Sequence, residues 1–395
     1  MTAPLTMAQT NEREIPILVL GAGPAGLALG AELQQRDVPF LLIEQGQAAG
    51  HSWRRMASRL KLLSPWKANW LRPEDAGRFS AHHETTRDEF AEYLRDFAAT
   101  RRLPVRTNVQ VKAVHRAADE GFVVETTGGE LRARCIVNAT GCFSAPWTPE
   151  IPGASASRLP RLHTGEFIDA ESLRRLVQSD KRPVLIVGKR LSAGQTMVEL
   201  VEAGFDVALS CREPVEFGPG PAAWWLFFRI HPWLEARALR RRGAAARGFT
   251  PKMPGGQARQ LVEGGVVKVF PIIERFDEAS VTFSDGRTLE PAAVIFATGF
   301  RPALRHLAPL GLRTKAENGS PELNGFESSA SPGLFFLGLD GQRNFQSRFI
   351  RGIRQDAPLL AAELERRLAH PISRSASLRP GENPVLPAAH LLRVP

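Results

Sequence analysis

The chain has few cysteines, no long apolar run and no hydrolytic or metal-binding signature. Its three cysteines, Cys135, Cys142 and Cys211, are scattered without a Cys-x-x-Cys pair, which argues against a disulfide framework, a redox-active dithiol and a zinc site. The adjacent His82 and His83 have no third ligand nearby in the sequence, so we expect no bound metal. Cysteine use of this kind fits a reducing compartment.

The sequence also predicts neither a membrane-spanning nor a secretory segment. The longest apolar candidate, residues 222–230, is too short to cross a bilayer. Residues 1–13 lack the charged-then-apolar order of a signal peptide. We therefore expect no transmembrane segment and a cytoplasmic protein.

Charge is moderately unbalanced, with 51 Lys and Arg against 41 Asp and Glu and a net charge of +10. Such an excess could favour anionic ligands or simply solvate the surface. The densest basic run, residues 237–247, is typical of a solvated helix face. No nucleic-acid recognition module accompanies it, so nucleic acid is not an expected partner.

The length of 395 residues predicts two domains.

The strongest pattern near the start is an apolar strand, a Gly-x-Gly-x-x-Gly turn, a helix and a second strand. Gly21 allows the tight turn, Gly23 lets a pyrophosphate approach the backbone, and Gly26 lets the helix pack close to the sheet. The helix N-terminus offers N–H groups and a positive dipole end to the phosphates. Glu44, about 20 residues on, is where an acid accepts ribose hydroxyls. This stretch predicts a dinucleotide-binding fold.

A second strand, turn and helix begin near Gly188, so the dinucleotide-binding opening occurs twice. Each copy is followed later by a buried strand that ends in Ala-Thr-Gly, at residues 139–141 and 297–299. The second turn departs from the first, because Arg190 occupies the position of the close-approach glycine. A side chain there would crowd a pyrophosphate unless its guanidinium pairs with the phosphates.

Several other segments complete the pattern. They are Gly50-His-Ser-Trp53, Arg59-Leu-Lys-Leu with Pro65, Phe90-Ala-Glu-Tyr-Leu, Gly299-Phe300 and Gly333-Leu-Phe-Phe-Leu-Gly338. With the glycine turns, they resemble motifs of the flavin-containing monooxygenase family, above all its plant auxin-forming type and bacterial members. That family belongs to the flavoproteins with two dinucleotide-binding domains, and the resemblance covers residues 15–368.

The resemblance implies an α/β fold with two Rossmann-like dinucleotide-binding domains, the FAD domain being discontinuous and of the three-layer β/β/α type. We expect an FAD-binding domain from residues 15–150 and 300–369, and an NADPH-binding-like domain from 151–299. Residues 1–14 are expected to be a loose N-terminus, and 370–395 a C-terminal tail.

The resemblance also implies FAD in the first fold, with Ser52 and Trp53 near its isoalloxazine. The residues expected to contact FAD are Gly21, Gly23, Pro24, Ala25, Gly26, Glu44, Gln45, Ser52, Trp53, Val111, Ala139, Thr140, Gly141 and Gln346. In this family reduced flavin reacts with O2 to give a C4a-(hydro)peroxide, which delivers one oxygen atom. The protein binds, orients and excludes water, and the motifs single out no catalytic side chain.

The second fold is expected to take NADPH, with Arg212 after its second strand suited to a 2′-phosphate. The residues expected there are Gly188, Arg190, Ser192, Ala193 and Arg212. Three functions stay open: a monooxygenase acting on a small organic molecule and O2, a flavin reductase or dehydrogenase of the same fold, and a flavoprotein that has lost NADPH binding. The substrate is not specified by any motif, and a homodimer is left open.

Overall fold

A computed structural model describes residues 14–178, 180–218, 221–242 and 252–369. Its helices are α1 Pro24–Gln35, α2 His51–Arg54, α3 Arg87–Thr100, α4 Ala170–Leu176, α5 Leu191–Glu202, α6 Pro221–Arg242, α7 Gln257–Glu263 and α8 Ile350–Ala369. Short 3-10 helices are Trp66–Ala68, Pro73–Arg78 and Arg305–Leu310. None of the described helices combines the length and hydropathy needed to cross a bilayer. The predictions for residues 1–13 and 370–395 lie outside the described residues.

The strands form two separate parallel sheets, each with an antiparallel meander. Those of the first half are β1 Ile15–Leu20, β2 Leu41–Ile43, β3 Val105–Arg106, β4 Val111–Arg116, β5 Phe122–Thr126, β6 Gly129–Asn138, β7 Arg161–His163, β8 Val184–Val187 and β9 Val207–Ser210. The others are β10 Lys268–Phe270, β11 Ile273–Phe276, β12 Val281–Phe283, β13 Thr288–Leu289, β14 Ala293–Phe296, β15 Leu323–Asn324, β16 Glu327–Ser328 and β17 Leu334–Phe336.

The first sheet is the middle layer of a three-layer β/β/α unit, as predicted. Strands β3, β2, β1, β6 and β17 lie parallel in that order, and β16 and β15 continue the sheet antiparallel beyond β17. Ile17 and Val19 of β1 face a core shared with α1, α3 and α8, whereas Leu18 and Leu20 face a core shared with the meander. This alternation follows from the two-residue period of a strand. Strand β6 belongs to both layers, since its first half pairs with β5 and its second half with β1.

The second sheet repeats this plan within a continuous stretch of chain. Its order is β10, β9, β8, β14 and β7, all parallel, and β11 to β13 form the meander. Ile186 and Ile295 face the core under α4, α5 and α7, while Leu185 and Val294 face the meander. The architectural repeat expected from the two glycine turns is therefore present.

The sequence of residues 105–114 alternates between apolar and polar positions and predicts a strand there, but the structure differs from this pattern. The chain instead forms β3 in the parallel sheet and β4 in the meander, separated by a turn at Asn108, whose φ is +58°. The turn is held by hydrogen bonds from Asn108 N–H to Gly46 O and from Val109 N–H to Glu44 O. Because alternation reports only which face is buried, it did not distinguish one strand from two in different layers.

Candidate cofactor and substrate site

A cavity of about 2200 Å³ lies between the two sheets, at the carboxyl ends of their parallel strands. In α/β proteins this is the edge where ligands bind. The residues that directly follow strands of the first sheet and line it are Gly21, Glu44, Ala139 and Leu337. Those that follow strands of the second sheet and line it are Gly188, Cys211 and Ala297. Both predicted dinucleotide-binding turns thus open into one space.

The first glycine turn leaves one side open to the cavity. A Cβ on Gly21 (φ +99°) would lie 2.8 Å from Ala139 O, and one on Gly26 would lie 2.0 Å from Gly21 O. A Cβ on Gly23 would meet no protein atom within 4 Å. Helix α1 begins beside it at Pro24 without a side-chain cap. The free space and the free N–H groups suit the pyrophosphate of a dinucleotide.

Glu44 is buried and ties the turn to the loop after β2. Its Oε2 accepts a hydrogen bond from Ala22 N–H and its Oε1 one from Gly46 N–H, each at 2.9 Å. A carboxylate has about four acceptor positions, so two remain on a side chain that lines the cavity. They are suited to ribose hydroxyls, and the loop geometry is already set by the backbone bonds.

Most of the predicted site residues lie together on this cavity. They are Gly21, Gly23, Pro24, Ala25, Glu44, Gln45, Ser52, Trp53, Val111, Ala139, Thr140, Gly141, Gly188, Arg190, Ser192 and Arg212. Gly26 and Ala193 lie behind the wall, where Gly26 meets the turn and Ala193, in the first turn of α5, is fully buried.

Gln346, which the sequence predicts to contact FAD, is not among the residues that line the cavity. The segment before α8 folds tightly against the helix, and a Cβ on Gly352 would lie 1.9 Å from Gln346 O. This packing buries the Gln346 side chain, while Phe349 and Ile350 line the cavity in its place. The tight turn that hides Gln346 has no signature that distinguishes it in the sequence.

The second glycine turn makes the same backbone contact as the first, but it presents an arginine side chain to the cavity where the first presents a glycine. A Cβ on Gly188 (φ +147°) would lie 2.6 Å from Ala297 O, which matches the contact of Gly21 with Ala139. Arg190 is the extended N-cap residue of α5 and is exposed on the cavity. Lys189 is paired with Glu213 at 2.6 Å, whereas Arg190 and Arg212 have no ion pair within the described part of the chain. The two guanidinium groups make this end of the cavity suited to phosphates.

Three aromatic side chains form a wall across the cavity, from the end of the first sheet to the end of the second. We call Trp53, Phe143 and Phe300 the aromatic wall. The rings of Trp53 and Phe143 lie 5.8 Å apart, and those of Phe143 and Phe300 lie 5.3 Å apart, both edge to face. Trp53 is anchored in the core by Phe90 at 4.6 Å. Phe143 and Phe300 follow the two Ala-Thr-Gly turns by two residues and one, a repeat that could have predicted them. These rings give the middle of the cavity an apolar surface.

The side chains of Trp224, Trp225, Phe227 and Phe228 lie outside the described residues. From the sequence they were candidates for an apolar substrate pocket or for a buried helix face.

Two cavity residues have no motif that predicts them. Asn69 is buried, donates from Nδ2 to Ser64 O at 2.6 Å and accepts at Oδ1 from the Ser64 hydroxyl at 3.0 Å. Nε2 of His306 lies 2.9 Å from Oδ1 of Asn138, at the end of β6. Burial lowers the pKa of His306 from 6.5 to about 4, so the ring is uncharged at neutral pH. Only folding places these residues beside the glycine turns.

Acidification should destabilise the protein through His306. Because the folded-state pKa is below the unfolded value, the unfolded chain binds the extra proton first, and stability falls as pH drops from 6.5 towards 4. The expected slope is about 1.4 kcal/mol per pH unit. We expect His306→Gln to flatten the pH profile of the free energy of unfolding in this range, measured with denaturant. An unchanged slope would contradict the prediction, and His82→Gln, at an exposed histidine, is the matched control.

Comparison with known proteins places the chain in a family. Residues 18–247, more than half of the sequence, match the model of the pyridine nucleotide-disulphide oxidoreductases. The chain belongs to this family. Within the family it is 27% identical to an uncharacterised CzcO-like oxidoreductase of Geobacillus kaustophilus, over 89% of this chain and 98% of the relative. It is 26% identical to the indole-3-pyruvate monooxygenase YUCCA1 of Oryza sativa subsp. japonica, over 72% of this chain and 76% of the relative.

A solved structure shows the same fold. The flavin-containing monooxygenase of Stenotrophomonas maltophilia superimposes with a TM-score of 0.72 at 22% identity, over 89% of this chain and 98% of that one. The predicted fold class and the resemblance to flavin monooxygenases are confirmed, as is the prediction of an oxidoreductase. The family's name includes disulphide reduction, but Cys135, Cys142 and Cys211 are all free thiols in the structure.

Proposed function

We propose that the chain is an FAD-dependent monooxygenase that uses NADPH and O2 to oxygenate a small organic substrate. The observation that carries this proposal is the shared cavity. Two helix N-termini, each formed after a glycine turn, open into it, and the aromatic wall lies between them. An FAD and a nicotinamide held at the two ends would meet at that wall.

FAD is assigned to the end formed by residues 15–150 and 300–369. The open side of Gly23 and the N-terminus of α1 would hold its pyrophosphate, and Glu44 its ribose. Ser52 and Trp53 would lie by the isoalloxazine. When bound, FAD supplies the electron transfer and the activation of O2. The chain's residues bind it, fix its orientation and exclude water.

NADPH is assigned to the end formed by residues 151–299. The N-terminus of α5 and the Arg190 guanidinium would hold the pyrophosphate, in place of the backbone approach that a glycine allows. Arg212 would hold the 2′-phosphate. In this arrangement Arg190 changes how the pyrophosphate is bound without preventing it.

An aerobic turnover assay tests the proposal. FAD-loaded protein is supplied with NADPH and ¹⁸O2, and with amines, sulfides, ketones and 2-oxo acids, including the indole-3-pyruvate that the rice relative's name specifies. We expect that one of these substrates is converted to a product that carries one labelled oxygen atom. NADPH oxidation that yields only hydrogen peroxide, or reduces a quinone without labelled product, would instead identify a reductase.

Arg190 itself favours a second candidate, a flavoprotein that no longer binds NADPH. Its side chain stands on the cavity where the first turn has open space. Anaerobic NADPH should bleach bound flavin if the main proposal holds, and should leave it oxidised if this second candidate holds. In the second case Arg190→Gly should restore bleaching, because it re-creates the open approach of Gly23.

Arg212→Ala should weaken the binding of NADPH much more than the binding of NADH. Loss of a guanidinium–phosphate contact is worth about 1.5–3 kcal/mol, so we expect KM for NADPH to rise about tenfold to a hundredfold. KM for NADH should change little, since NADH lacks the 2′-phosphate. Steady-state kinetics with both cofactors measure this, with Arg158→Ala, an exposed arginine outside the cavity, as control. An equal rise in KM for NADPH and NADH would mean that Arg212 does not contact the 2′-phosphate.

A further inference from the structure

The outward face of helix α6 carries apolar and basic side chains in one stripe. Ile230, Trp233 and Leu234 are 44%, 59% and 49% exposed. Their spacing of three and four residues places them on one side of the helix, and Arg237 and Arg241 continue that side. The residues that we call the α6 patch are Ile230, Trp233, Leu234, Arg237, Arg240 and Arg241, all exposed.

The opposite side of α6 is attached to the protein body. Glu235 is buried and accepts two hydrogen bonds from Arg351 of α8, at 3.2 Å from Nε and 2.7 Å from Nη2. A paired buried carboxylate of this kind fixes which side of the helix faces inward. The α6 patch therefore faces outward as a consequence of packing.

The apolar and basic side chains of the α6 patch indicate what kind of surface would bind there. Its apolar residues lie toward the middle of the helix and its arginines at the end, and no acid lies among them. An interfacial helix has this combination, since tryptophan and leucine enter the headgroup region while arginines contact anionic lipid. The guanidinium of Arg237 lies 5.8 Å from the Trp233 ring, so charge and apolar surface are continuous.

A second copy of the chain is a poorer match for the same surface. A two-fold dimer on this patch would bring the arginines of both copies into one interface. With no acid in the patch, those charges would repel each other, whereas an anionic bilayer neutralises them.

We propose that the α6 patch docks this protein peripherally on anionic lipid surfaces. The docking requires no transmembrane segment and does not depend on which reaction the cavity catalyses. Arg351, which holds α6 through Glu235, also lines the cavity. The docked helix is thus hydrogen-bonded to the cavity wall.

Vesicle sedimentation with the full-length, FAD-loaded protein tests the proposal. We expect binding to vesicles of phosphatidylcholine mixed with phosphatidylserine, little binding to phosphatidylcholine alone, and loss of binding as salt is raised. The double substitution Arg240→Glu with Arg241→Glu should reduce partitioning by about tenfold or more. Trp233→Ser should reduce it several-fold.

Matched control variants distinguish binding through the α6 patch from a general effect of net charge or of exposed apolar side chains. Arg132→Glu with Arg158→Glu makes the same charge change at exposed arginines elsewhere, and Leu176→Ser removes another half-exposed apolar side chain. Both should bind like the parent, with folding checked by circular dichroism. Three results would overturn the proposal: no vesicle binding, full binding by the Arg240 and Arg241 variant, or a dimer that Trp233→Ser converts to monomer.

Discussion

Gly23→Ala should give a folded protein that no longer holds FAD well. The φ of Gly23 is −83°, which alanine adopts freely, and its Cβ would meet no protein atom within 4 Å. The only space it takes is the cavity space assigned to the pyrophosphate. We expect FAD affinity to fall about a hundredfold, or about 2.7 kcal/mol, measured by fluorescence titration of apoprotein.

A matched control makes the Gly23 result specific. Gly77→Ala also adds a Cβ where no protein atom lies within 4 Å, outside the left-handed region and away from the cavity. It should leave both FAD affinity and thermal stability unchanged. Gly26→Ala, by contrast, should lower stability, because its Cβ would lie 2.0 Å from Gly21 O. Full FAD affinity in Gly23→Ala would contradict the proposed phosphate position.

Trp66→Ala should have the largest effect on stability. Trp66 is fully buried, with its ring edge to face against Phe79 at 5.1 Å and Tyr93 at 4.9 Å. Its indole N–H donates to Ala76 O at 3.0 Å. Removing so large a buried ring costs about 3–5 kcal/mol. Denaturant unfolding of the FAD-loaded protein measures the loss.

The tryptophan at the α6 patch supplies the comparison for Trp66. Trp233 is 59% exposed, so Trp233→Ala should change the free energy of unfolding by no more than about 0.5 kcal/mol. Because residues 60–64 and 68–69 line the cavity beside Trp66, its loss should also weaken FAD binding. Equal stabilities of the two variants would mean that this irregular segment does not contribute to the core as its packing indicates.

The glycine turn at the end of the cavity assigned to FAD could be predicted from the sequence because its geometry is local. Gly21, Gly23 and Gly26 are fixed by the tight turn between β1 and α1, and Glu44 by its distance along the chain. A glycine pattern records such backbone requirements directly. The same logic located Gly188 and identified Arg190 as a departure.

The remaining site residues could not be predicted because they depend on long-range packing. His306 reaches Asn138 across 168 positions of sequence. Asn69 belongs to an irregular segment whose path is set by the buried Trp66 rather than by a repeating pattern. The burial of Gln346 has the complementary cause, since a tight turn before α8 brings Phe349 and Ile350 onto the cavity wall instead. None of these contacts has a period or spacing for a pattern to detect.

The construction of the first sheet has a consequence for the order of events during synthesis. Strand β17, which pairs with β6, begins only after β7 to β14 have been made, and α8 follows later still. The second sheet is continuous in the chain and can therefore form on the ribosome while the first waits for its last strand and covering helix. A nascent chain would present the end assigned to NADPH first, and the end assigned to FAD would be complete only after β17 and α8 had been made.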